Sequence, residues 1–283
     1  MKAGLIWADT LCQLNSSTFA LMLPQLLERA AQQGVNAILM PSITTADCTQ
    51  LKTLASTHCD QIPGLVYTLG IHPLYVDQVT EDDLVMLQKQ IEHALPDPRF
   101  VGLGEIGLDY FVAGVDVAKQ EFIFRAQLDI AEQFQLPVVL HSRRAHDQIL
   151  KALRLRAKIS GVVHAFNGSI QQAEQFIGLG FKLSFGGAAT YARALQIRRL
   201  LKELPLESIV IETDAPDIPP AWLKEEDGLF NEPAYLPRIA QELSNIRNVP
   251  IEEFSKAVWG NTLQAFPRWS ALMANTSNPS TLS

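Results

Sequence analysis

Eight times along this chain, a short apolar run of strand length is followed by a stretch with apolar residues at helical spacing, and that alternation restricts the fold more than any other feature. The strand candidates are residues 4–10, 35–43, 65–72, 101–109, 137–142, 161–166, 181–185 and 208–214. Between them lie helical patterns at 18–33, 45–58, 81–94, 117–134, 145–156, 170–179 and 192–204, with two more, 231–244 and 250–273, after the eighth strand. Repeated β-then-α units need a parallel sheet with right-handed crossovers. Eight of them in 283 residues fit a closed (β/α)8 TIM-type barrel of the α/β class better than an open doubly wound sheet. No glycine-rich phosphate loop follows the first strand, which weakens the open alternative further. The expected organisation is a single domain over residues 1–273, with 274–283 as a polar, disordered tail.

Composition narrows the class. A chain that is 47% hydrophobic and 19% charged can bury a substantial core. Its net charge of −7 argues against tight, sequence-independent coating of nucleic acid, which depends on many Lys and Arg contacts to phosphate. A local grip on a strand end stays compatible with that charge. The three cysteines, Cys12, Cys48 and Cys59, form no CxxC pair and read as reduced thiols. The N-terminus reaches Asp9 too soon to build a signal-peptide core, and no run is long enough to cross a bilayer, so the expectation is a cytoplasmic protein with no membrane partner. Oligomeric state is not readable; a monomer suffices.

In such a barrel, polar side chains at the C-terminal ends of the strands converge on one mouth. The third strand ends at His72, the fourth carries Glu105, the fifth ends at His141, Ser142 and Arg143, the sixth carries His164, and the eighth ends in Glu212-Thr213-Asp214. Glu105 interrupts an apolar run punctuated by Gly102, Gly104 and Gly107. A carboxylate buried there needs a metal, a cation or backbone donors, and strand glycines mark a bulge or a close approach. Imidazoles with carboxylates suit a divalent metal with one position open to water, and a free carboxylate nearby can take a proton. Arg143 can hold a phosphate or carboxylate in bidentate fashion, or pair with an acid on the rim. His58 and His93 fall in helical stretches and read as surface residues; His146 is left unassigned.

The segments GIHP at 70–73, GEIGLDY at 104–110, LPVVLHSR at 136–143, VHAFNGS at 163–169, ETDAP at 212–216 and NEPAYLPRIA at 231–240, in that order, resemble the TatD family of metal-dependent deoxyribonucleases within the amidohydrolase-like barrels. Gly260-Asn261-Thr262 is similar to the family's late Asn-Thr step, and the resemblance extends from the first strand to the last helix. It implies a two-metal hydrolase of phosphodiester bonds at DNA ends. It makes Glu105 the bridging carboxylate, His141 and His164 ligands of one metal, and Asp214 a ligand of the other and the general base. His72 and Arg143 are the expected phosphate contacts.

The chain departs from this pattern at one place. The family's strand-one His-x-His falls on Leu11 and Gln13, so both imidazoles are missing. Leu11 offers no donor atom, and Gln13 only a neutral amide oxygen. Cys12 faces the other way if 11 and 13 face in, and Asp9 shares their face, with a structural hydrogen bond favoured over ligation. The expectation is therefore one divalent ion (Mg, Mn or Zn) rather than two, with reduced activity on weakly held DNA. The alternatives are a one-metal hydrolase of small esters or amides, and a non-catalytic barrel that binds a ligand or partner.

Overall fold

The computed structural model describes residues 4–156, 158–224 and 230–276. Eight parallel strands follow one another around a barrel: β1 (Trp7–Asp9), β2 (Val35–Pro41), β3 (Gly64–Leu69), β4 (Phe100–Asp109), β5 (Val138–Arg143), β6 (Gly161–Val163), β7 (Phe181–Phe185) and β8 (Ile209–Ile211). The helices are α1 (Leu23–Gln32), α2 (Cys48–Thr57), α3 (Glu81–Ala94), α4 (Val117–Phe134), α5 (His146–Leu153), α6 (Ile170–Gly178), α7 (Leu195–Glu203), α8 (Leu236–Arg247), α9 (Ile251–Ala265) and α10 (Pro267–Thr276). Every neighbouring pair from β1–β2 to β7–β8 is parallel.

The alternation of strand side chains sorts the core into two layers. Ala8, Ala37, Leu39, Val66, Val101, Val139, Val162 and Val210 fill the lumen, while Trp7, Ile38, Met40, Leu65, Tyr67, Val138 and Leu140 face the helices. Phe266, Trp269, Leu272 and Met273 close the lower end of the lumen, and the Trp269 indole N–H donates to Gly64 O at 3.0 Å. The seam between β8 and the first strand is held by hydrogen bonds beyond the regular ladder. Thr10 N–H donates to Ile211 O (3.1 Å), Asp214 N–H to Leu11 O (3.0 Å) and Gln13 N–H to Ala215 O (2.8 Å).

Several expected boundaries shift for local reasons. The single helix expected over 250–273 is two, because Pro267 cannot continue α9 and starts α10 instead. Residues 274–276, expected to belong to the tail, complete α10, and 277–283 lie outside the described residues. The helix expected from 18 begins only at Leu23, with a proline in its first turn. The helix expected from 231 begins at Leu236, because Asn231 and Glu232 serve other ends: Asn231 Nδ2 donates to Thr213 O (2.7 Å) and Asp217 O (2.6 Å), and Glu232 pairs with Arg29. Asn261 in α9 likewise donates to Leu206 O and Ile209 O, both at 2.8 Å, fixing the entry to β8. No helix among the described residues is long and apolar enough to cross a membrane.

Trp269 is fully buried against the lumen floor, so Trp269→Ala removes a large packed surface and leaves Gly64 O without its donor. The expected loss is about 3–5 kcal/mol of unfolding free energy, read from urea denaturation at constant m-value.

Candidate active site

Glu105 reaches the mouth because β4 is irregular. Val101 lies in the lumen layer but Leu103 packs on the outer one, so alternation is already broken between them, where β4 shifts register against β3. Against β5, the step from Leu103 to Ile106 spans three residues where Val138 to Leu140 spans two. The extra residue is a second bulge that reverses the facing again, so the Glu105 carboxylate recovers the inward facing of Val101. The close approach expected of the glycines is found at Gly107, whose φ is 150° and where an added Cβ would stand 1.9 Å from His141 O. Only glycine lets β4 and β5 come together there.

Around the buried Glu105, three imidazoles converge. His141 donates from Nδ1 to Glu105 Oε1 at 3.0 Å, His72 Nε2 lies 3.5 Å from the same oxygen, and His164 Nε2 lies 4.0 Å from it. Asp214 Oδ2 is 3.7 Å from His164 Nε2. The residues expected at the mouth therefore do meet, but His72 stands closer to Glu105 than a phosphate contact need be. Arg143 is farther out and exposed, stacked on Phe111.

Two of the imidazoles are oriented from behind by carboxylates, while His72 Nδ1 accepts from Leu74 N–H at 3.2 Å. Asp109 Oδ2 accepts from His141 Nε2 at 3.0 Å, which leaves Nδ1 aimed at Glu105. Glu212 Oε1 sits 2.9 Å from His164 Nδ1 and accepts from Ala165 N–H at 2.8 Å, leaving His164 Nε2 toward Glu105 and Asp214. A carboxylate behind a ligating imidazole fixes its tautomer and raises its basicity. Helix α4 steadies this arrangement with two buried glutamines seven residues apart, on one helical face. Gln120 brackets Asp109, accepting from its N–H at 2.8 Å and donating to its carbonyl at 3.0 Å. Gln127 does the same for Ile71, at 2.7 and 3.1 Å, and so positions the turn that carries His72.

The electrostatics follow from burial and these contacts. Burial opposes ionisation of Glu105, but the fields of His72 and His164 and the hydrogen bonds from His141 and His72 outweigh it and hold the carboxyl well below its usual range. Burial would also discharge His141 and His164; for His141 the bonds to Asp109 and Glu105 win, and for His164 the charges of Glu212, Asp214 and Glu105 win, so both titrate higher than a free imidazole. Asp214 is pushed well up, first by burial and then by its acidic neighbours. Asp109 falls to about 2, since hydrogen bonds from His141, Val112 and Phe111 overcome its burial.

The arrangement fits a divalent metal ion. His72 Nε2, His141 Nδ1 and Glu105 Oε1 are mutually separated by 3.0, 3.2 and 3.5 Å. Ligand atoms bonded at about 2.0–2.2 Å stand about 3.3–3.6 Å apart in a tetrahedral shell and about 2.8–3.1 Å apart in an octahedral one. These three atoms already form one face of such a shell.

Strand one contributes no imidazole. Leu11 is fully buried in the lumen layer, and Cys12 packs in the outer layer, facing away as alternation requires. Asp9 is a structural acceptor, taking hydrogen bonds from Leu11 N–H (3.3 Å), Thr213 N–H (2.9 Å) and Thr213 Oγ1 (2.5 Å). His146 packs edge-on against Phe166 and Phe176, and burial lowers its pKa. Asp109, Gln120 and Gln127 were not legible as site residues in the sequence; the one available signal was a pair of glutamines at apolar-face spacing in α4.

A parallel barrel with imidazoles and carboxylates gathered at the C-terminal ends of its strands defines a metal-dependent hydrolase. The family model of TatD related DNases matches residues 8–267. A metal-dependent hydrolase of Haemophilus influenzae, otherwise uncharacterised, is 37% identical over 249 residues, which is 86% of this chain and 92% of its own. The 3'-5' ssDNA/RNA exonuclease TatD of a Pantoea species is 31% identical over 263 residues, covering 89% of this chain and 96% of its own. The crystal structure of YjjV, a TatD homolog from Escherichia coli, superposes with a TM-score of 0.85 at 35% identity, over 92% of this chain and 98% of that one. The chain belongs to the TatD family.

Burial raises the Asp9 carboxyl to about 7 from an ordinary 3.8. Between those values the unfolded chain has released this proton and the folded chain keeps it, so the contribution is fully present below 3.8 and is lost as pH rises toward 7. A difference of about three pH units corresponds to about 4 kcal/mol. Asp9→Asn, which cannot titrate, is expected to lose that slope; unfolding free energies of the two proteins from pH 4 to 8 check it, and parallel curves would refute it.

Proposed function

We propose that this protein is a phosphodiesterase acting at the ends of single-stranded DNA, with one divalent ion where the family pattern holds two. The observation that carries the reading is the face of donor atoms formed by His72 Nε2, Glu105 Oε1 and His141 Nδ1, with His164 Nε2 beside it. Glu105, His141 and His164 are the proposed ligands that the family pattern supplies, and His72 stands where it can complete the set in place of strand one. An ion held there supplies Lewis-acid stabilisation of a phosphoryl oxygen and makes water a stronger acid.

The chain's own residues do the rest. Asp214, next to His164 Nε2 and pushed up in pKa by burial, is the base that takes the proton of the attacking water. Asp109 and Glu212 hold the two imidazoles in the tautomers that present a lone pair to the ion. Arg143, on the rim two residues beyond His141, meets the phosphate backbone of the strand. The name of the Pantoea relative, a 3'-5' ssDNA/RNA exonuclease, supports the substrate class and the single-stranded preference.

Loss of one of two ions removes either nucleophile activation or leaving-group stabilisation, so turnover is expected to be slow. Elemental analysis of the loaded protein is expected to give one equivalent of metal, and Glu105→Gln to lose both the metal and cleavage of end-labelled single-stranded DNA by at least a hundredfold. Unchanged cleavage by Glu105→Gln would overturn the assignment. The double change Leu11→His with Gln13→His is expected to raise bound metal to two equivalents and to speed cleavage. A parent that binds metal, cleaves nothing and gains activity only on that change would mark a binding barrel instead.

A further inference from the structure

Just outside the mouth, Phe111 is 46% exposed although it is a large apolar side chain. Two guanidinium groups cover it: Arg143 Cζ lies 3.7 Å from the ring centroid and Arg144 Cζ 4.6 Å. Consecutive residues leaving a strand ordinarily point to opposite sides. Here Arg144 has φ of 56°, in the left-handed region, and that turn brings both arginines to one ring. Neither guanidinium has a carboxylate partner among the described residues, in a chain whose net charge is −7.

The cluster is tied to the site by one side chain. Asp109 Oδ1 accepts from the N–H groups of Phe111 (2.8 Å) and Val112 (3.1 Å), while Asp109 Oδ2 accepts from His141. Tyr110 N–H donates to Arg143 O at 2.9 Å, so the two loops are joined across the rim. The aromatic ring is therefore presented in a fixed position one carboxylate away from the proposed metal donors. A rigid, solvent-facing ring layered with unpaired guanidiniums has the chemistry of a platform for a nucleobase and its phosphate.

We propose that Phe111, Arg143 and Arg144 form a stacking platform that grips a base next to the scissile end of a single-stranded nucleic acid, with the guanidiniums taking the adjoining phosphate. This rests on the nuclease reading above and adds the feature that selects strands with exposed bases. An acidic protein gains little from long-range attraction to a polyanion, so a local contact of this kind must supply the hold. Base pairing would keep the base from the ring, so the platform disfavours duplex ends.

The test uses the full metal-loaded protein with a single-stranded oligonucleotide carrying 2-aminopurine near its end, and a matched oligonucleotide abasic at the same positions. Phe111→Ala is expected to weaken binding and kcat/KM on the base-bearing strand by roughly tenfold to a hundredfold, to abolish the fluorescence quenching, and to leave the abasic strand nearly unaffected. Phe111→Trp is expected to restore both readouts. Equal losses on the two strands, or none on either, would overturn the platform. Quenching that depends on Phe111 without any cleavage would keep the platform and remove the nuclease reading; cleavage without Phe111-dependent quenching would do the reverse. Wild-type protein that neither binds nor quenches the base-bearing strand overturns it as well.

Discussion

The site is built around one ionised carboxylate that burial alone would neutralise. An unpaired charge taken out of water costs several kcal/mol, so Glu105 remains charged only because His72, His141 and His164 surround it. His141 and His164, brought into a dry pocket, would themselves lose their protons without Asp109, Glu105, Glu212 and Asp214 around them. Each charge thus needs the next, and the series ends at backbone groups: Asp109 on the Phe111 and Val112 amides, Glu212 on the Ala165 amide. Were a divalent ion bound there, Glu105 and His141 would be among the residues to hold it, and ligation would require the imidazoles to give up protons.

The barrel delivers these groups because parallel strands all end at one mouth, and that much is legible in the sequence. A polar residue closing an apolar run, repeated on the third, fourth, fifth, sixth and eighth strands, predicts convergence without any coordinates. What period-two counting misses is facing. Leu103 turns outward between Val101 and Glu105, which face in, because β4 carries two register shifts, and a bulge has no signature beyond the glycines around it. Asp109 shares the inward facing of Val101 and Glu105, and only its contact with His141 marks it as a site residue. Gln120 and Gln127 looked like polar interruptions of a helix face, and their value lies in pairing amide to amide with two loops that are remote in sequence. The apolar pattern over 250–273 runs through Pro267, where the helix breaks, and the break lets Phe266 and Trp269 fold under the lumen.

Membership of the TatD family sharpens the meaning of the one departure from its pattern. Leu11, where the resemblance expects an imidazole, is packed into the barrel without a gap. Leu11 joins the lumen layer with Leu39 and Val66, its carbonyl accepts from Asp214 N–H, and Asp9 gathers Thr213 and Leu11 amides beneath it. The seam that carries Asp214 is therefore held by backbone hydrogen bonds and by Asp9. Asp214 itself sits at φ of 56°, a left-handed position that aspartate tolerates, and Asn231 fixes the loop after it.

That substitution also changes what Glu105 can do. A bridging carboxylate shares its two oxygens between two ions, which requires ligands on both sides. Here His72, His141 and His164 all approach Oε1, while the strand-one side presents a buried leucine. The Glu105 contacts thus gather on the side of the mouth where Asp109 links His141 to the Phe111 loop. A one-ion site gains less from charge at the phosphoryl group and depends more on holding the strand in place. On the proposed one-ion reading, substrate grip at the rim and the absence of strand-one imidazoles are two parts of one arrangement, in which positioning carries weight that a second ion would otherwise bear.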